Sequence, residues 1–379
     1  VYKRQVEDEI AFGCENLAFS PEKISKQIDT VCRLMKLDKS WLSRKLSGGQ
    51  KQRLITASTL AMGQKIVILD EPLANLDTAG AEMLMSTLKS LAKAGYCIVV
   101  IEHRLDVVLP FVDKVFHVGN KSVKEITDRE TYLKEQSTEI EDTCSEFNGT
   151  LPVFSLSDVA FSVKERDILK GVTFDILKGS RAVLLGENGC GKTTLLRLIS
   201  RLEKPTRGVI LQNIDDKFGQ KSKQSKKWYK KVGVVYQNPD YQLFMPTVEK
   251  EIKFGAKSDE YADEIAEKFG IKHLYTRHPQ SLSEGQKRRV SIAAVVATNP
   301  QVLILDEPTV GQDYKGLCEM VEVLNKLHEE THNTMITVTH DKRCAAALCD
   351  RAVWIKDGKT YKTGDKRLID EFFTNCQDK

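Results

Sequence analysis

The sequence repeats itself, and this internal repeat limits the possible folds more than any other feature. Four segments recur in the same order at offsets of 236 to 242 residues: 6–13 and 248–255, 46–50 and 282–286, 66–72 and 302–308, and His103 and His340. Repetition of this kind predicts structural units of one architecture arranged in tandem. We therefore expect two related modules within the 379 residues.

The two copies differ in extent. The second has residues 152–247 ahead of its first shared segment, whereas the first has only residues 1–5. We therefore expect residues 6–127 to form a module that lacks its N-terminal half, and residues 152–379 to form a complete one. The polar, acidic stretch 128–151 between them predicts a linker.

Residues 1–5 have an interpretation of their own. They match the translation of a transposon end that is used to prepare sequencing libraries. A natural internal sequence is the alternative. We expect an assembly artefact, with native sequence beginning near Val6.

Composition and charge are those of an ordinary globular protein. The chain is 41% hydrophobic and 29% charged, and its net charge of +4 is too small to argue by itself for nucleic-acid binding. The nine cysteines are scattered and form no CxxC pair, which favours reduced thiols over a disulfide framework or a zinc site. No apolar run approaches the roughly 18 residues that span a bilayer. Any membrane role therefore requires a partner protein.

Hydrophobic runs predict an α/β fold with a parallel sheet. Four short apolar or β-branched runs are suited to buried parallel strands: 181–185, 232–236, 302–305 and 334–338. Residues 263–269 and 285–298 have helix-compatible spacing, and strands that alternate with helices indicate β-α-β units. Residues 152–178 are expected to add strands that flank this core.

A phosphate-binding loop follows the first of these strands. The sequence fits the pattern G-x-x-x-x-G-K-[ST], and its residues are Gly186, Glu187, Asn188, Gly189, Cys190, Gly191, Lys192, Thr193 and Thr194. Glycines allow successive amides to point at phosphate oxygens, and the following helix adds positive charge at its N-terminus. We expect Lys192 to reach the β- and γ-phosphates and Thr193 to bind Mg²⁺.

Three polar residues end two other apolar strands. Asp306 ends the strand at 302–305, where a carboxylate supports a Mg²⁺ site, and Glu307 follows it. His340 closes the strand at 334–338. A strand-capping acid and a structural histidine are the simpler alternatives. The recurrence of the histidine as His103 favours a functional role.

Residues 46–50, Leu-Ser-Gly-Gly-Gln, resemble the signature of the ATP-binding-cassette (ABC) family, and residues 282–286 are a variant of it. The phosphate loop, the signature and the Asp-Glu pair occur here in the family's order. The resemblance implies a P-loop NTPase cassette with a parallel sheet core, an antiparallel β subdomain and a helical subdomain. Two tandem copies are expected, the first incomplete, and the implied activity is ATP hydrolysis.

The resemblance also implies roles for single residues. Gln237 matches the Q-loop glutamine, which senses nucleotide and contributes with Thr193 and Asp306 to the Mg²⁺ site. Glu307 matches the general base that activates water, and His340 matches the switch histidine at the γ-phosphate. Together with Lys192 these are the expected catalytic residues. Residues 311–313 and 74–77 match the D-loops.

Family cassettes pair head to tail, so each ATP lies between one module's phosphate loop and the other module's signature. The resemblance therefore implies a pseudo-dimer within one chain, in which four residues cap the nucleotide held by Lys192: Ser47, Gly48, Gly49 and Gln50. Ser-Gly-Gly at a helix N-terminus offers amides and a dipole to phosphate.

The second composite site would pair Ser283 with a phosphate loop of the first module, which this sequence does not contain. Asp70, Glu71 and His103 nevertheless keep catalytic residue types. We interpret this as a missing gene end rather than a degenerate site.

Three segments indicate a subfamily. Residues 236–248, 251–255 and 101–106 are similar to the energy-coupling-factor group, which includes cobalt, nickel and vitamin importers. The resemblance implies a transmembrane coupling subunit and a substrate-binding membrane subunit as partners, at the cytoplasmic face of the membrane. Residues 243–245 are expected to form part of a groove for a partner's helix, or to belong to the core.

One departure from the family pattern concerns the residue that stacks on the adenine base of ATP. Val163 stands where an aromatic residue often stacks on adenine, and Phe161 is the alternative on the same strand face.

Two other functions compete with transport. Lysines at 221, 223, 226, 227, 230 and 231 surround Trp228 and Tyr229, a pattern that fits either nucleic acid or a solvated loop, and we expect the loop. A soluble twin-cassette ATPase that acts on ribosomes or nucleic acid is the alternative function. A catalytically inactive scaffold is a third, which the intact catalytic residues disfavour. Exposed strand edges in the shortened module also predict poor solubility.

Overall fold

The computed structural model describes residues 4–46, 48–73, 76, 78–119, 121–136, 147, 149–163, 166–214, 226–312 and 314–377. The chain divides into two compact units, residues 1–138 and 139–379. The division falls inside the stretch that the sequence predicts as a linker. Each unit has its own hydrophobic core.

The first unit contains six helices and four strands among its described residues. The helices are α1 (Val6–Asn16), α2 (Pro21–Leu34), α3 (Gly48–Ala61), α4 (Thr78–Lys93), α5 (Leu105–Val108) and α6 (Arg129–Gln136). The strands are β1 (Ile66–Asp70), β2 (Cys97–Ile101), β3 (Phe116–Gly119) and β4 (Ser122–Glu125). α6 lies within the predicted linker, so part of that stretch is helical.

The second unit contains nine strands and eight helices among its described residues. The strands are β5 (Pro152–Val163), β6 (Arg166–Leu177), β7 (Arg181–Leu185), β8 (Arg207–Gln212), β9 (Val232–Val235), β10 (Val302–Asp306), β11 (Thr334–Val338), β12 (Arg351–Lys356) and β13 (Lys359–Asp365). The helices are α7 (Lys192–Ile199), α8 (Lys226–Tyr229), α9 (Val248–Lys253), α10 (Asp259–Lys268), α11 (Glu284–Ala297), α12 (Tyr314–Thr331), α13 (Lys342–Leu348) and α14 (Arg367–Gln377).

A six-stranded sheet forms the centre of the second unit, in the order β13-β12-β7-β11-β10-β9. All neighbouring pairs are parallel except β12 with β13. Every residue of β7, β10 and β11 is buried, because both faces of the sheet are covered. This confirms the predicted α/β fold with a parallel core.

Two layers cover this sheet. One face packs against helices such as α9, α10 and α11, which form the helical subdomain. The other face packs against α7 and the antiparallel sheet β6-β5-β8. The sequence predicted the extra strands in residues 152–178, and β5 and β6 occupy that stretch.

The first unit repeats this architecture without one part of it. β1 pairs with β2 in the same parallel register as β10 with β11, and β3 pairs with β4 as β12 does with β13. In the second unit β7 lies between β11 and β12 and joins the two pairs. The described strands of the first unit instead form two separate two-stranded sheets.

One face of these strands is exposed in the first unit. The exposed apolar side chains on it are Ile66, Ile68, Val99, Ile101, Phe116 and Val118. Their counterparts in the repeat are buried against α7 and the antiparallel sheet: Val302, Ile304, Ile336, Val338, Val353 and Ile355. We name the six exposed residues the uncovered face. The elements that bury their counterparts belong to residues 152–212, which have no match in the first copy.

Two further properties bear on function. The seven cysteines whose side chains are described are free thiols, as the sequence predicted. The described part of the chain contains no helix that qualifies as a membrane-spanning segment.

Candidate nucleotide-binding site

The predicted site residues meet at one edge of the central sheet. β7, β11, β10 and β9 are parallel neighbours, so their carboxyl ends lie on the same side. The phosphate loop follows β7, His340 follows β11, Glu307 follows β10 and Gln237 follows β9. Ligands of parallel α/β sheets bind at this edge.

The phosphate loop joins β7 to α7 through three glycines whose backbone conformation favours glycine. Gly186, Gly189 and Gly191 have φ angles of 154°, 82° and 106°, which side-chain-bearing residues rarely adopt. A Cβ atom on Gly186 would lie 2.4 Å from the carbonyl oxygen of Ile355. The loop crest at residues 187–189 is exposed, so its amides are accessible to a ligand.

Lys192 begins α7 and is bound inside its own loop. Its Nζ donates to the carbonyl oxygens of Gly186 at 2.6 Å and Glu187 at 3.1 Å, and only 7% of the residue is exposed. Thr193, the next residue, is exposed. The loop therefore holds an ammonium group and a hydroxyl at the N-terminus of a helix, which favours phosphate.

Two buried carboxylates face this lysine. Burial raises the pKa of Asp306 to about 6, while the charges of Lys192 and Arg288 oppose the shift. Burial and the neighbouring Asp306 raise the pKa of Glu307 to about 8, opposed by Lys192 and by the backbone N–H of His340. Strongly shifted acids of this kind mark functional sites, because adjacent buried charges are costly in a purely structural role.

Glu307 and His340 form a pair whose geometry recurs in the first unit. His340 Nε2 lies 3.5 Å from Glu307 Oε1, and its backbone N–H donates to Oε2 at 3.2 Å. His103 Nε2 lies at the same 3.5 Å from Glu71 Oε1. Both glutamates have positive φ angles, 52° and 46°. Two features differ. The backbone N–H of His103 donates to Glu102 and not to Glu71, and a hydrogen bond from the His103 side chain lowers the pKa of the more exposed Glu71.

Gln237 lies on an exposed turn that other residues hold in place. The Gln242 side chain accepts from Tyr236 N and donates to the carbonyl oxygen of Val234, both at 2.8 Å. Arg288 donates to the carbonyl oxygens of Tyr236 and Gln237. We name residues 236–247 the Q-loop. Neither of these side-chain anchors was predicted from the sequence.

A third anchor of the Q-loop was also missed. Glu251 is buried, and its Oε2 accepts the amides of Phe244 at 2.9 Å and Met245 at 2.7 Å. The sequence indicated the burial of Glu251 only weakly, because a glutamate in the first turn of a helix is usually exposed. The outcome for the predicted partner groove is mixed: Leu243 is buried in the core and Phe244 is 67% exposed.

The second signature begins α11. Ser283 Oγ accepts from Gln286 N and the Gln286 side chain accepts from Ser283 N, which forms a capping box. In the first unit, Gly48, Gly49 and Gln50 form the first turn of α3. Several predicted residues of the signature and D-loops lie outside the described part of the chain: Ser47, Ala74, Asn75, Asp77 and Asp313.

Which residue stacks on adenine remains a prediction. Val163 is 48% exposed at the end of β5, and Phe161 is half-buried against the core below it. Most of the predicted lysine cluster lies outside the described residues or has undescribed side chains. Trp228 is buried and donates through Nε1 to Gln212 Oε1 at 2.9 Å, so it is a core residue.

The donors at this edge fit Mg²⁺. Asp306 supplies a buried carboxylate, Thr193 an exposed hydroxyl and Gln237 an exposed amide oxygen. Hard oxygen ligands in small number are what Mg²⁺ takes beside a bound phosphate.

Comparison with known proteins shows the family. A model of the ABC transporter family matches residues 4–74 and 169–310. A candidate HMP/thiamine import ATP-binding protein of Bacillus subtilis, YkoD, is 32% identical over 93% of this chain and 72% of that protein. A candidate ABC transporter ATP-binding protein of Methanosarcina mazei is 31% identical over 98% of this chain and 77% of that protein.

Two solved structures resemble the chain. CbiO1 of Clostridium perfringens, described as part of the ABC transporter complex cbiONQ, has a TM-score of 0.52 and 30% identity, and the match covers 60% of this chain and 94% of that one. An archaeal ribosome recycling factor, aABCE1, has a TM-score of 0.65 over 99% of this chain and 74% of that one, but at 20% identity it shows the fold alone. The chain belongs to the ABC transporter family and is an ATP-binding protein that hydrolyses ATP.

Proposed function

We propose that the chain is the ATPase subunit of an energy-coupling-factor-type importer that takes up a vitamin or a metal ion through separate membrane subunits. The observation that carries the proposal is the convergence of Lys192, Asp306, Glu307 and His340 at one edge of the central sheet. The names of two similar proteins, one for HMP/thiamine import and one in the cbiONQ complex, support the importer type.

The proposed mechanism assigns one role to each group. The loop amides and Lys192 bind the phosphates of ATP. Glu307 accepts the proton of the attacking water, and His340, 3.5 Å from it, stabilises charge at the γ-phosphate. Mg²⁺, held by Thr193, Asp306 and Gln237, would neutralise phosphate charge.

Exposed aromatic residues in the Q-loop and at the end of α9 support a protein partner. Tyr241, Phe244 and Phe254 are 80%, 67% and 58% exposed, and the rings of Phe244 and Phe254 meet edge to face at 5.3 Å. Phe12, the counterpart of Phe254 in the repeat, is also exposed. Clustered aromatic residues on a surface are typical of contact sites. We propose that this patch binds a helix of the transmembrane coupling subunit.

The ATPase site is tested with Lys192→Ala. Removing a charged phosphate contact should weaken ATP binding by about 30-fold or more, measured by equilibrium titration with Mg²⁺-ATP. Lys178→Ala is the matched control, since that lysine lies ahead of the loop. Equal affinity of Lys192→Ala and wild type would refute the assignment.

The partner surface is tested by co-sedimentation with inverted vesicles that carry a transmembrane coupling subunit of the energy-coupling-factor type. Phe244→Ala with Phe254→Ala should abolish vesicle binding and leave ATP affinity unchanged. Tyr361→Ala, an equally exposed aromatic residue elsewhere, is the control. Binding to purified ribosomes instead of vesicles would favour the soluble ATPase that acts on ribosomes or nucleic acid.

A further inference from the structure

Arg288 is the largest fully buried side chain among the described residues, with 0% of its surface exposed. Arginine is almost never buried to this degree unless its guanidinium is paired. The carboxylates that act on its charge are Glu284, Asp306 and Glu307, and no salt bridge within 4.0 Å joins Arg288 to them in the described part of the chain. Its burial therefore needs another explanation.

The guanidinium binds the backbone of the Q-loop. Nη1 donates to the carbonyl oxygen of Tyr236 at 2.7 Å, and Nη2 donates to the carbonyl oxygen of Gln237. The third donor, Nε, is buried without a hydrogen-bond partner among the described atoms. A buried donor without a partner costs free energy. The side chain is nevertheless directed at the two carbonyl oxygens.

The helix that carries Arg288 is the signature helix α11. The preceding residue, Lys287, forms an ion pair with Asp240 at 2.8 Å. Two successive residues in the second turn of α11 therefore hold the Q-loop at two points. Because the helix begins at the signature, any shift of the signature moves both contacts.

The first module offers a natural comparison. Gln52 stands at the position of Arg288, whereas Lys51 matches Lys287. A glutamine is shorter and neutral and cannot donate two parallel hydrogen bonds from a charged group. The buried arginine is therefore a property of the second module, in which the phosphate loop also lies.

We infer that Arg288 is a positioning residue that fixes the backbone at Gln237 and makes the Q-loop follow the signature helix. The inference rests on the proposed role of Gln237 at the nucleotide. Arg288 itself does not reach the reacting atoms. It acts through Gln237 by setting where that residue's side chain begins.

A double-mutant cycle in the full chain tests this inference. Arg288→Gln copies the first module and should lower kcat about tenfold, as expected for the loss of charged hydrogen bonds, with less than about a twofold change in KM for ATP. In a Gln237→Ala background the same substitution should lower kcat little further, because Arg288 acts through the Gln237 side chain and that side chain is already absent. Arg288→Lys keeps the charge and should be intermediate.

Arg181→Gln is the matched control. Arg181 is also a buried arginine, bonded to Asp350 and Asn325 away from the Q-loop. Arg181→Gln should lower the melting temperature. Its effect on kcat should be independent of Gln237→Ala, so that the fold-changes of the two single variants multiply in the double variant. Multiplicative effects of Arg288→Gln and Gln237→Ala would overturn the inference.

Hydrogen exchange without nucleotide tests the same contact independently of catalysis. Arg288→Gln should speed exchange of the amides of residues 237–245 by about tenfold, and Arg181→Gln should not. Unchanged exchange in that loop would overturn the inference. The exchange result does not depend on catalysis. If the wild type showed no ATPase activity that requires Lys192, that outcome would count against the proposed function and not against this inference.

Discussion

Glu307 and Glu71 have a backbone conformation that residues with side chains seldom adopt. Their φ angles of 52° and 46° lie in the left-handed region, at a cost on the order of 1–3 kcal/mol each. Each backbone N–H is held by the neighbouring strand: Glu307 N donates to Val338 O at 2.8 Å, and Glu71 N donates to Ile101 O at 2.9 Å. The strand ends therefore suffice for this backbone conformation, because the first unit has it without a phosphate loop in this sequence.

We predict that Glu307→Gln keeps ATP binding and stalls turnover. Glutamine preserves the shape but cannot accept a proton, so kcat should fall by about 100-fold or more, measured as phosphate release at saturating Mg²⁺-ATP. Glu71→Gln in the 379-residue chain is the matched control and should change kcat less than about twofold, since its own unit has no phosphate loop in this sequence. A normal kcat in Glu307→Gln would contradict the assignment.

At this scale the sequence predicted motif residues and missed buried supports. Lys192, Glu307 and His340 were identifiable because a motif or a repeat marked them. Arg288 was not, because the run Lys287-Arg288-Arg289 has the composition of a solvated helix face. Its spacing of four from the buried Ile292 was the available signal, and only the position of the Q-loop explains why a charge lies on that face.

At the scale of elements, the Q-loop and α9 form one unit through Glu251. Its carboxylate accepts two amides of the loop, one of which belongs to Phe244 of the aromatic patch. Burial raises the pKa of Glu251, although those amide hydrogen bonds oppose the shift. The folded state therefore favours the protonated acid more than the unfolded chain does.

The sign of the resulting pH dependence follows from this shift. A raised folded-state pKa gives stability that is fully present below the unfolded pKa and is lost as pH rises through the folded pKa. Glu251→Gln removes this titration and keeps an acceptor for the amides. We predict that its free energy of unfolding falls less than that of the wild type between pH 4.5 and 7, measured by urea denaturation. Equal pH dependence in both proteins would contradict the prediction.

The strands show what a sequence can and cannot predict about elements. Apolar runs located β7, β9, β10 and β11 within one residue, because a strand buried on both faces is hydrophobic throughout. Residues 97–101 are an equally apolar run and form β2, yet Val99 and Ile101 are exposed. Burial of the second face depends on elements distant in sequence, and local composition carries no information about them.

At the scale of the whole molecule, the uncovered face should govern solution behaviour. Ile66, Ile68 and Val118 are 65%, 67% and 73% exposed, and the other three apolar side chains of that set are also exposed. Apolar surface and unpaired strand edges of this kind promote self-association. This gives a structural reason for the poor solubility that the sequence predicted.

We predict that Ile66→Thr with Ile68→Thr reduces self-association, because threonine keeps strand propensity while adding a polar group. Light scattering and binding of a hydrophobic dye should both decrease. Leu17→Thr with Leu202→Thr is the control, since these residues are exposed but lie outside that face. A decrease of the same size in the control would show that apolar area in general, and not this face, causes the association.

The central position of β7 links nucleotide affinity to the global stability of the second unit. β7 is hydrogen-bonded on both sides, by β12 and β11, and the phosphate loop is its direct continuation. The loop therefore cannot form its cradle unless the sheet around it is assembled. A ligand that binds only the folded state at 100 times its Kd adds about 2.7 kcal/mol to the unfolding free energy. Mg²⁺-ATP should consequently protect amides throughout the second unit, including strands that never touch the nucleotide.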